Sequence, residues 1–175
     1  MQRGLATIEI ILATIIIAVL VKVAVPNAAR IIDRVSLDYE IKHFYSDLRY
    51  IQSMGRSSKI SDKGMGQTGI INETGVDVNL IITPEKNGYQ IFRGKDNNKK
   101  ALREPHYFSN GVKINLKDHE VTNSIKIEFD EEGKAKIKCD NSILNSATLV
   151  FTSNLKKKKF IKFDSVGRIR ADLTE

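Results

Sequence analysis

The chain has 175 residues and a mass of 19.7 kDa, room for one globular domain plus an appendage, with 41% hydrophobic and 28% charged residues. The apolar residues are crowded at one end, which excludes a plain cytosolic globule: between Ile10 and Val21 only Thr14 interrupts the apolar run. A single cysteine, Cys139, excludes an internal disulfide framework and a cysteine-based zinc cluster, while His43, His106 and His119 lack metal-ligand spacing, so no cofactor is expected.

Leu5–Val25 holds only two chargeable groups, Glu9 and Lys22. As a helix it has the length needed to cross a hydrocarbon core of about 30 Å. Arg3 and the amino terminus lie on its short side, so the positive-inside rule keeps that end cytoplasmic and puts the rest of the chain outside. No small-x-small cleavage site follows the apolar stretch, and a helical pattern continues past it, so the segment is expected to be retained. Glu9 is anomalous, because an acidic side chain at the centre of a spanning helix costs about 2.5–3.5 kcal/mol. It either snorkels to the interface or meets a cation supplied by another copy of the chain.

Arg3-Gly4-Leu5-Ala6-Thr7-Ile8-Glu9 resembles the cleavage motif of type IV prepilins and pseudopilins: a basic residue, Gly, a hydrophobic residue opening the mature chain, and Glu five positions in. Pro26 also falls where that family often carries a proline, and Leu5 stands in place of the more usual phenylalanine. The resemblance covers about the first 30 residues. It implies a leader at 1–4, cleaved after Gly4 by a membrane prepilin peptidase, N-methylation of Leu5, and assembly into a helical filament. There Glu9 would face the amino terminus of an adjacent subunit.

Beyond the membrane segment, Ile31, Val35 (or Leu37), Ile41, Phe44, Leu48 and Ile51 mark one face of an amphipathic helix over 26–58. Pro26 removes one backbone hydrogen bond and is the expected kink. The helix is expected to stop near Gly55–Ser58, and Tyr39, Phe44, Tyr45 and Tyr50 are expected to pack against a sheet. A glycine-rich loop is assigned to 59–75. Its Gly64–Gly69 spells G-x-G-x-x-G, but without the preceding strand and following helix that dinucleotide binding requires.

A β-rich domain is assigned to 76–175. Alternating or β-branched runs predict strands at Val76–Thr83, Tyr89–Arg93, Val112–Leu116, Ser124–Phe129, Lys134–Cys139, Ala147–Thr152, Phe160–Asp164 and Arg168–Asp172. Turns are predicted at 86–88, 130–133 and 165–167. The fold class is therefore α+β: a long N-terminal helix, membrane-spanning in its first half, packed by its second half on an antiparallel sheet or small β-sandwich, pilin-like. The order of helix, loop and strands is similar to that of GspH/FimT-like and competence minor pseudopilins.

The net charge of +7 divides into +3 over residues 1–60 and +4 over 61–175, so neither half is a basic block. The densest cluster, Lys156, Lys157, Lys158 and Lys159, reads as a solvated turn between strands, or as a patch for an anionic partner such as DNA or an acidic neighbouring subunit. No catalytic constellation stands out, and the expected function is that of a structural subunit, a minor pilin or pseudopilin. The host assembly would be a type IV pilus, a type II secretion pseudopilus or a competence filament. The implied partners are other pilin or pseudopilin subunits, the prepilin peptidase, an inner-membrane assembly platform and, before assembly, membrane lipid. The alternatives are a major pilin and a membrane-anchored protein binding DNA or another ligand.

Overall fold

The computed structural model describes residues 3–62, 78–94, 99–109, 111–119, 123–140 and 142–172. Helix α1 runs without interruption from Arg3 to Asp62, 60 residues and about 90 Å at 1.5 Å per residue. It passes through Pro26 unbroken, at the cost of the intrahelical donor to the Lys22 carbonyl. It also continues beyond the Gly55–Ser58 stop expected from composition. Gly55 serves close approach instead: a Cβ there would lie 3.2 Å from the Phe129 carbonyl oxygen. Residues 59–62, assigned to the glycine-rich loop, thus belong to the helix, and the rest of that loop, 63–75, lies outside the described residues.

Two antiparallel sheets follow. The first contains β1 (Val78–Thr83), β2 (Gly88–Arg93), β3 (Lys100–Ala101), β4 (His106–Tyr107), β6 (Ile125–Phe129), β7 (Ala135–Cys139) and β8 (Ser142–Leu144). Its order is β3-β2-β1-β6-β7-β8, with β4 also on β2. The second contains β5 (Lys113–Leu116), β9 (Ala147–Thr152), β10 (Lys158–Phe163) and β11 (Ile169–Asp172) in the order β11-β10-β9-β5. All eight predicted strands are present within one or two residues at most ends. The unpredicted β3, β4 and β8 are two or three residues long, too short for an alternation to register, and exist by pairing with β2 or β7.

The molecule is thus α+β, a long N-terminal helix whose second half lies on antiparallel sheets in a pilin-like arrangement. Leu37, Ile41, Phe44, Leu48 and Ile51 are buried in one core with Leu80, Ile82 and Ile127 of the first sheet and Leu149, Phe151 and Ile161 of the second. Each such side chain contributes roughly 1.5–3 kcal/mol on burial. Phe44 joins the sheets, edge-on to Tyr89 at 4.9 Å and to Phe151 at 5.3 Å. The buried face starts later than the spacing predicts: Ile31 lies before the first contact with the sheets at Asp33, and Val35, between buried Asp33 and Ser36, lies on the opposite face of the helix. Of the four helix aromatics, Phe44 is buried and Tyr45 half-buried. Tyr39 and Tyr50 point away from the core, Tyr50 beneath the Arg103 guanidinium.

Candidate functional site

The first half of α1 stands clear of the sheets. Every described side chain from Ile8 to Ile32 is exposed, and this N-terminal helix is long and apolar enough to cross a membrane. The one hydroxyl in its apolar run, on Thr14, donates back to the Ile11 carbonyl at 2.8 Å and so needs no outside partner. Glu9 is exposed within this segment. Gly4 and Leu5 belong to the same helix, but the side chains before Ile8 lie outside the described residues. Large apolar exposure extends past Val25 to Ile31, Ile32 and Val35, where the domain begins.

The helix meets the domain through three buried carboxylates, Asp33, Glu40 and Asp47. Their seven-residue spacing puts them on one stripe beside Leu37, Phe44 and Ile51, which repeat at the same interval. Asp33 accepts from Ser153 Oγ at 2.6 Å and from the Leu155 amide at 3.4 Å, fixing the β9–β10 turn. Glu40 accepts from the Ser109 amide (3.0 Å) and Ser109 Oγ (2.6 Å), and lies 2.7 Å from His106 Nε2. Asp47 accepts from the Tyr89 hydroxyl at 2.7 Å and pairs with Arg103 at 3.0 Å. Because Tyr89 donates to Asp47, its oxygen accepts from His43 Nδ1–H at 2.7 Å, and His43 stacks on His106 at 4.4 Å. A cavity of about 310 Å³ opens beside this network, lined by His43, Asp47, Tyr89, Arg103 and His106 among others.

Burial and the Asp47 hydrogen bond push the Tyr89 hydroxyl far above its ordinary range, so it remains a donor. Each acid already has protein partners, and the network holds helix to sheet. Among the described residues no cluster of His, Cys, Asp and Glu is arranged to hold a metal. The sequence reading singles out none of Asp33, Glu40 and Asp47. Their heptad spacing in register with the core residues was the available signal.

The lysine run is divided by the fold. Lys159 is a buried residue of β10 paired with Asp38, whereas Lys156 and Lys158 are exposed. Lys156, with φ +61°, and Lys157 belong to the β9–β10 turn, closed by the Ser153 amide on the Lys157 carbonyl at 2.9 Å. Strand alternation accounts for the split, since neighbours in β10 face opposite sides. Comparison with protein-family models, curated proteins and solved structures found no match to this chain.

Proposed function

We propose that the chain is a membrane-anchored structural subunit of a type IV pilus, type II secretion pseudopilus or competence filament, of the minor pilin or pseudopilin kind. The observation that carries this reading is the bare apolar half of α1, from Ile8 to Ile32, with one carboxylate, Glu9, near its start. An exposed apolar helix of this length has two sinks, lipid before assembly and the same helices of neighbouring subunits after it. In this reading the peptidase cuts after Gly4, Leu5 is methylated, and Glu9 pairs with the new amino terminus of a neighbour. The domain sits outside the cytoplasm on the inner membrane, and the assembly platform draws subunits into the filament.

The test is the intact mass of the chain expressed with an active prepilin peptidase. Loss of Met1–Gly4 together with one added methyl group at Leu5 is the expected result. A chain that keeps its first four residues beside a peptidase that processes a control prepilin would overturn the reading.

A further inference from the structure

We propose that the tip of the β9–β10 hairpin is a docking site for anionic phospholipid headgroups, seating the domain on the bilayer before assembly. The inference rests on the membrane-anchored reading and adds a contact that reading does not require. Among the described side chains of α1 the first buried one is Asp33, and it is bound to Ser153 and Leu155 of this hairpin. The tip is therefore the part of the domain fixed nearest the apolar half-helix. From Val25 to Arg34 the helix rises only about 13 Å, and helix side chains lean back toward its N-terminus. Ile31, Ile32 and Val35 are exposed over the same interval, which favours bringing the domain down onto the surface.

The tip has the chemistry of an interfacial contact. Leu155 is half exposed at its apex, followed directly by Lys156, Lys157 and Lys158. Arg34 of the helix, Leu37 and Lys157–Lys159 line one cavity of about 300 Å³, an apolar floor beneath basic groups. Arg34 and Lys156–Lys159 place five cationic side chains here against Asp33 and Asp38. Exposed Lys156 and Lys158 give the tip a positive outer face, with the half-exposed Leu155 as one apolar side chain to enter the acyl boundary. Each lysine near an anionic leaflet contributes about fivefold to surface association. The hydrogen bonds of Asp33 hold the turn in place, so little ordering accompanies contact.

The chain contains no tryptophan, so Leu155→Trp supplies a single fluorescent reporter at the tip. The full-length variant is reconstituted into vesicles of phosphatidylcholine alone, or with 30% phosphatidylglycerol, and flotation is measured first. Flotation with both is expected, with blue-shifted emission and quenching by brominated lipid only where phosphatidylglycerol is present. High salt, or the added changes Lys156→Gln, Lys157→Gln and Lys158→Gln, should abolish the quenching, a loss of about a hundredfold in the docked-to-undocked ratio. Failure to float would overturn the anchored reading and this inference together. Flotation with an equally solvent-exposed tryptophan in both lipids would overturn the inference alone. So would an emission change produced in detergent by inorganic phosphate or by an oligonucleotide, which would make the tip a site for free anions or nucleic acid.

Discussion

Glu40 shows how a buried carboxylate is kept ionised by the partners the fold brings to it. Burial pushes its carboxyl up, but hydrogen bonds from His106 and from the hydroxyl and amide of Ser109 outweigh it and hold the group below its ordinary 4.5. A carboxyl depressed in the folded state contributes stability at pH values above the unfolded one, and that contribution is lost as pH falls through the folded value. Glu40→Gln is therefore expected to flatten the acid limb of the Tm–pH profile below about pH 4.5. At neutral pH it should cost about 1–3 kcal/mol, because Ser109 and His106 lose a charged acceptor. Identical acid limbs in the two proteins would remove this role. Tyr89 works at the other end of the scale: its hydroxyl, raised above the ordinary 10.0 by burial and Asp47, contributes fully below pH 10 and less as the pH rises beyond it. Tyr89→Phe should be less stable at neutral pH and should decline less steeply in alkali, as read by thermal melts from pH 8 to 11.

At the scale of elements, two hairpins from different sheets are joined through one helix side chain. The Gln52 amide donates to the Gly133 carbonyl at 2.8 Å in the β6–β7 turn and to the Gly167 carbonyl at 2.7 Å in the β10–β11 turn. Both glycines have positive φ, +80° and +84°, and a Cβ at Gly167 would lie 2.5 Å from the Gly133 oxygen. Gln52→Ala leaves two enclosed carbonyls without a donor and should lower the denaturant midpoint by the equivalent of about 2 kcal/mol with an unchanged slope. Gly167→Ala should cost more, about 3 kcal/mol, since it adds a clash to a left-handed backbone. If either variant unfolds at the wild-type midpoint, the hairpins are not held in this way.

Across the whole molecule, the helix serves two environments in series. One face of its second half is covered by the sheets from Asp33 onward, and its first half is bare. Glu9 lies 24 residues before Asp33, about 36 Å along the axis, so altering it should leave the domain's thermal unfolding unchanged. In the proposed filament, however, losing one partner of a buried ion pair costs about 3–5 kcal/mol. Glu9→Gln should insert in the membrane and be cleaved, yet co-purify with other filament subunits on the order of a hundredfold less well. Equal recovery of wild type and variant would leave Glu9 as a residue that snorkels to the interface. The stability of the domain should be indifferent to chelators and reductants. Cys139 is a lone buried thiol, pushed up first by burial and then by the Asp140 charge, and the core is held by apolar packing. A shift in the unfolding curve with EDTA or dithiothreitol would contradict that.

The division of the chain into an apolar helix and a β-rich domain was legible from periodicity alone. An uninterrupted apolar run, a three- and four-residue spacing and a two-residue alternation are each local patterns of covalent order. So were the turns at Asp130–Gly133 and Ser165–Gly167, because Asp, Ser and Gly carry their conformational preferences with them. The point where the helix enters the core was not legible. Ile31, Val35 and Leu37 are equally apolar as letters; the reach of the sheets leaves Ile31 outside, and the face on which they pack buries Leu37 and leaves Val35 exposed. The same holds for Asp33, Glu40 and Asp47, whose partners Ser153, Ser109, His106, Tyr89 and Arg103 arrive from 42 to 120 residues away. It holds also for the lysine run, where the β10 register turns Lys159 inward to Asp38 and leaves Lys158 outside. Burial and partnership belong to pairs of distant segments, and a linear pattern carries no record of which segment will close over it.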